Sequence, residues 1–123
     1  KNTMAKEKEK LTYTKEDISS WKKQYGKIFK TSDGSEDIIY RRIKRSEYIA
    51  LMDKTELLPE ESQDPVKLSQ RMQKRQDGVC TTCVLFPPHI DILLEESAGL
   101  SDNLSQEIMA HSGFGVLTPT EEL

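Results

Sequence analysis

Lysine and arginine are absent after Arg75, although the chain continues to residue 123. Residues 1–75 hold all 18 basic and 13 of the 21 acidic residues, a net +5, and residues 76–123 hold the other 8 acids, a net −8. A nucleic-acid interface needs positive charge concentrated on one face, whereas most basic residues here alternate with acids, so the pattern points away from nucleic acid as a partner. A chain polarised in this way can fold its two halves together or stack head to tail with copies of itself. Long apolar runs are missing as well. None approaches the roughly 20 residues needed to span a bilayer, and the first twenty residues carry Lys1, Lys6, Lys8, Lys10 and Lys15 without the continuous apolar segment of a secretory signal. The expectation is a soluble intracellular protein with no membrane partner.

Catalytic signatures are missing too. There is no G-x-x-x-x-G-K-[ST], no G-x-G-x-x-G and no G-x-S-x-G. The segment Ser32-Asp33-Gly34-Ser35-Glu36-Asp37 is rich in oxygen ligands but lacks the spacing and closing glutamate of a calcium loop. The carboxylates sit mostly in charged loops and at helix ends, where solvation and capping account for them. The chain therefore reads as a non-enzyme without a cofactor.

Apolar residues make up 35% of the sequence and charged residues 32%, enough for one domain with a modest core and a surface that a partner completes. Residues 1–13 alternate lysine with glutamate and read as a flexible arm. Thr14 is a candidate N-cap with Asp17 three residues on. Ile18, Trp21 and Tyr25 then fall on one helical face, with Trp21 as the expected anchor to the core and Gly26 as a left-handed stop. Two short β-prone runs flank Ser32-Asp33-Gly34-Ser35, predicting a hairpin of residues 27–31 and 36–43. Arg41, Arg42, Lys44 and Arg45 follow as a solvated edge that discourages strand-to-strand aggregation. Ser46 is the candidate cap of a second helix with Tyr48, Leu51 and Met52 on its apolar face.

Asp64-Pro65 marks a third helix start, because aspartate accepts free N–H groups and proline loses nothing at the first helical position. Met72, Val79, Cys80, Cys83 and Val84 lie at i, i+7, i+8, i+11 and i+12, predicting one helix over 65–85 whose polar side carries Lys67, Arg71, Lys74 and Arg75. It would run through Gly78 and end at Pro87-Pro88. The alternative is a break at Gly78 that leaves CTTCVLF as a short buried strand. Ile90, Ile92, Leu93 and Leu94 predict a turn or two of helix. Ser101 is the candidate cap of a last helix bearing Leu100, Leu104 and Ile108, closed by Ser112-Gly113-Phe114. The fold class expected is mainly α with one small β-hairpin near 27–43: a single helical domain over 14–114 and a mobile tail over 115–123.

Cys80 and Cys83 form a C-x-x-C, with His89 and His111 downstream. Four such groups would suffice for zinc, but zinc knuckles come with tight turns and polar surroundings, and VCTTCVLF is apolar. Residues three apart on a helix share a face, so both thiols can be buried together. Burial is the preferred reading, with a zinc-binding adaptor or a redox pair as alternatives.

The arrangement Cys83-Val84-Leu85-Phe86-Pro87, then Ala98-Gly99, then a short helix ending in Ser112-Gly113-Phe114, resembles small tail proteins of bacteriophages, especially tail assembly chaperones and baseplate-hub-type assembly factors. Arg45-Ser46-Glu47-Tyr48 after the hairpin extends the likeness to residues 36–114. The resemblance implies a non-enzymatic partner of other tail proteins. Either it acts as a chaperone that keeps the apolar helices of a tape-measure protein soluble in the host cytoplasm until tube subunits replace it, or it is a structural subunit retained in the virion at the tail tip or baseplate. On the chaperone alternative the contact surface is the last helix and its cap, Leu100, Leu104, Ile108 and Phe114, accepting an amphipathic helix. The competing expectation is that these four close the domain's own core.

Overall fold

Strand β2, Asp37–Arg41, lies in the middle of a three-stranded antiparallel sheet, between β1, Ile28–Ser32, and β3, Val84–Phe86. The protein's structure is a computed structural model, and it describes residues 12–114. Five α-helices accompany the sheet among the described residues: α1, Lys15–Tyr25; α2, Arg45–Lys54; α3, Pro65–Cys83; α4, Ile90–Glu96; and α5, Leu100–His111. The fold is mainly α with a small antiparallel sheet. Most of the stretch expected as an arm, residues 1–11, and the tail over 115–123 lie outside the described residues.

The hairpin forms where turn chemistry places it, with Phe29 opposite Tyr40 and Ser32 opposite Asp37. Asp33 organises the connection: its Oδ1 accepts from the backbone N–H groups of Ser35 at 2.8 Å and Glu36 at 2.7 Å, and from the Ser35 hydroxyl at 3.0 Å. The N–H donors of Glu36 and then Ser35 hold its carboxyl below the usual carboxylate range. Gly34 supplies the positive φ of 100° that the turn needs.

The sheet exceeds the expected hairpin by one strand. Helix α3 runs through Gly78, as the periodicity predicts, but stops at Cys83 instead of 85, and Val84–Phe86 then pair with β2. The two alternatives for this stretch are each half right: the helix does not break at Gly78, and a short strand does precede the prolines. Gly78 has a packing role, since a Cβ there would lie 2.5 Å from Leu51 Cδ1, so its absence lets α2 approach α3.

Residues Ile38, Ile39, Tyr40 and Arg41 are all buried, because β2 is covered on both faces. Strand alternation sends Ile38 and Tyr40 to one side, where they join Val79, Cys80, Cys83, Leu93, Leu104 and Ile108 in the main core. Helices α3 and α5 form the most extensive helix pair around it. Ile39 and Arg41 face the other side. There Tyr13 sets its ring edge-on to Phe86 at 5.1 Å and donates its hydroxyl hydrogen to Asp37 Oδ2 at 2.7 Å, and the Arg41 guanidinium lies 4.9 Å from the centre of the Tyr25 ring.

Several local expectations need correction. Trp21 does not reach the core, since α1 has no buried residue. Gly26 ends α1 with φ 82° and ψ −117°, a glycine conformation outside the left-handed helical region. Ser46 does not cap α2. That helix begins one residue earlier, and Glu47 Oε1 accepts from the Lys44 N–H at 2.9 Å instead. Ser101 likewise lies inside α5, where its hydroxyl donates to Asp77 Oδ1 at 2.6 Å and ties α5 to α3. Arg41 is not part of a solvated edge but a buried joint: it pairs with Glu47 through Nη1 and Nη2 at 2.9 and 2.8 Å and donates to the Thr82 carbonyl at 3.0 Å, joining β2, α2 and α3. The Asp64-Pro65 start holds as expected, with Asp64 Oδ1 accepting from Val66 N–H at 2.9 Å.

Candidate functional site

Metal chemistry requires the cysteines and histidines to converge, and the fold separates them. Cys80 and Cys83 are both fully buried free thiols, and burial pushes each up to about 12. The Cys80 thiol donates to the Ser101 carbonyl at 3.7 Å. His89 instead lies 3.6 Å from a Glu36 carboxylate oxygen, and His111 stacks on Phe29 with ring centres 4.1 Å apart. Among the described residues no group of three or more His, Cys, Asp or Glu side chains is placed to hold a metal. The four donors therefore do not come together as one site among the described residues, and thiols held in the neutral form are poor nucleophiles.

The four residues expected as a partner surface are divided by the fold. Leu104 and Ile108 are turned into the chain's own core, at 1% and 0% exposure, and Leu100 packs against that core. Phe114 is 38% exposed. Gly113, with φ 99°, turns the chain so that Phe114 N–H reaches the Met109 carbonyl at 3.0 Å and its ring meets Tyr48 at 4.6 Å. Tyr48 and Met109, which it contacts, line a larger feature.

That feature is an apolar groove of about 480 Å³ between α2, α3 and α5. Helix α3 contributes one continuous face, Leu68, Arg71, Met72, Arg75, Gln76 and Val79. Tyr48 and Met52 on α2 and Ser105 and Met109 on α5 form the two walls. Three of the chain's four methionines, Met52, Met72 and Met109, line it. Val79 and Ser105 are buried at one end, and Met72, 61% exposed, opens the other. Arg75 is braced by donating Nε–H to Thr55 Oγ1 at 2.7 Å.

Sequence periodicity assigns Met72 to the same stripe as Val79 and Cys80, but the core closes at Val79 and leaves Met72 outside. Met109 gives no sequence signal, because its neighbours in space come from two other helices. Arg71 and Arg75 flank the groove instead of lying wholly on a polar side, while Lys67 and Lys74 are exposed. A second hollow of about 490 Å³ lies where α1 leans on the sheet, with Ile18, Ile28, Phe29 and Ile39 beneath Lys15, Lys22 and Lys30.

No protein family and no curated protein matches this sequence. Among solved structures, the chain is similar to the uncharacterised protein rbstp2171 from Bacillus stearothermophilus, at 18% identity and a TM-score of 0.57, over 85% of this chain and 99% of that one. That likeness speaks for the fold alone.

Proposed function

We propose that this chain is a non-enzymatic binding protein that takes the apolar face of a partner's helix into the groove between α2, α3 and α5. One observation carries the proposal. Three methionines from three different helices face the same open channel, and methionine, unbranched and polarizable, adapts to varied apolar side chains. Helix-in-groove recognition uses this kind of surface. Following the resemblance of residues 36–114 to phage tail proteins, the partner is another tail component, first of all the tape-measure protein, and the chain acts as an assembly chaperone. A retained subunit of the tail tip or baseplate is the second form of the same proposal.

The test is co-expression with the tape-measure, tube and baseplate proteins of the same genome, with a photo-crosslinking residue at Met72 or, as a control, at Lys30. The expected result is a cross-link from position 72 to the tape-measure protein and none from position 30. A cross-link from position 72 that persists in finished tails identifies the retained subunit. Failure of position 72 to cross-link to any tail protein overturns the tail assignment.

A further inference from the structure

Four cations, Lys67, Arg71, Lys74 and Arg75, project from the first three turns of α3, and among the described residues none of them forms an ion pair. Arg41, by contrast, is paired with Glu47. Two of the four, Arg71 and Arg75, line the groove: Arg71 stands beside Leu68 and Met72 at its open end, and Arg75 stands one helical turn before Val79. The closed end, at Val79 and Ser105, carries no charge. The groove thus carries both of its charges on the α3 wall, ahead of a neutral end at Val79 and Ser105.

Resting on the proposed helix-binding groove, we infer that its occupant is an acidic amphipathic helix of a partner protein. Its apolar stripe lies along the methionines, and its carboxylates sit where they meet Arg71 and Arg75. The α3 face from Leu68 to Val79 is about 16 Å long at 1.5 Å per residue, so the occupant spans about three helical turns. A guanidinium can grip a carboxylate through two parallel N–H bonds, so the charge fixes the direction in which the helix lies. A helix with lysines there would face two like charges, Arg71 and Arg75, and this repulsion rejects wrong partners.

The experiment uses fluorescence anisotropy with three labelled amphipathic peptides of about sixteen residues, identical except for glutamate, glutamine or lysine at two positions at one end. The glutamate peptide is expected to bind about three- to fivefold more tightly than the glutamine peptide at low salt, with the lysine peptide weakest. Raising the salt should shrink the spread. Arg71→Glu should reverse the order of the glutamate and lysine peptides, and circular dichroism checks that this variant keeps its helix content. Met72→Asp, at an exposed position, should weaken all three together.

If all three peptides bind equally and Met72→Asp weakens them, the acidic preference is overturned and the groove stands. If none binds and Met72→Asp changes nothing, the helix-binding groove itself falls. A concentration-dependent dimer that Met72→Asp dissolves would make a second copy the occupant. Equal tightening of all three peptides on removal of residues 115–123 would make it the chain's own tail. Either result overturns the inference.

Discussion

Helices α1 and α5 teach opposite lessons about how a helix earns its place. Helix α1 has every local signal: Thr14 Oγ1 accepts from Asp17 N–H at 3.1 Å, Asp17 Oδ2 accepts from Thr14 N–H at 2.9 Å, and a glycine stops the helix. Yet it buries no residue. Helix α5 has Gly99 at its cap position, with no side chain to offer, and still places Leu104, Ser105 and Ile108 in the interior. Capping decides whether a helix forms and where it begins, while docking depends on whether its apolar stripe meets a surface that other elements have left open. Beneath α5 lie Ile38, Tyr40 and Cys80. Helix α1 rests on the far face of a narrow sheet, where Tyr13 and Phe86 already shield part of β2.

The sharpest test of this contrast is a matched pair of truncations. Ile108→Ala should cost about 3–4 kcal/mol in urea unfolding, since it empties a fully enclosed site. Trp21→Ala, removing a larger side chain, should cost less than about 1 kcal/mol. Equal losses would break the distinction between the two helices.

Next in size is the Arg41 joint. Arg41→Ala leaves the Thr82 carbonyl and Glu47 Oε2 without the donor they have here, and should cost about 2–3 kcal/mol in thermal or urea unfolding. The hydrogen bond from Arg41 holds the Glu47 carboxyl below its ordinary 4.5, so the folded state binds its proton less readily than the unfolded chain does. That contribution is complete above about pH 5 and declines as pH falls through 4.5 toward the folded value. In Arg41→Ala the acid-dependent decline should be shallower, measured by unfolding at pH steps between roughly 6 and 3.

A smaller effect is expected at Gly78. Alanine ordinarily favours a helix by about 1 kcal/mol over glycine, but here its Cβ would press on Leu51 Cδ1. Gly78→Ala should therefore give little or none of that gain in the native background, and recover it when Leu51 is also alanine, a coupling that a double-mutant cycle reads directly. Smallest in global terms is Thr14→Ala. It should weaken α1 by about 1 kcal/mol, visible as faster amide exchange confined to residues 15–25 while the midpoint of global unfolding stays nearly fixed. Faster exchange in α5 as well would mean that α1 and α5 unfold together.

These contrasts also mark what the sequence discloses. Asp64-Pro65, the Asp33-Gly34 turn and the Ser112-Gly113-Phe114 closure are legible because their chemistry is local: an acceptor beside free N–H groups, or a glycine where φ must be positive. Ser101 misleads because a serine's hydroxyl serves equally as a cap or as a tie to another helix, and Asp77, which claims it, is 24 residues away; Ser46 misleads because α2 starts ahead of it, with Glu47 accepting from the Lys44 N–H. Strand β3 is too short to show a period, and it exists as a strand only because β2 offers it an edge. The groove is the least legible feature. Met52, Met72 and Met109 each look like ordinary apolar positions on their own helices, and only the packing of those helices reveals that they line one open groove.

The central place of β2 also has a bearing on synthesis. The strand is complete when residue 41 leaves the ribosome, but its second neighbour ends at residue 86 and the helix that seals its inner face supplies Ile108. At about 5–20 residues per second, Ile38 and Tyr40 wait several seconds for their cover. During that interval the nascent chain presents an open β-edge and an uncovered aromatic, so a slow-translating host or a truncated message would yield aggregates seeded from the hairpin rather than from the helices.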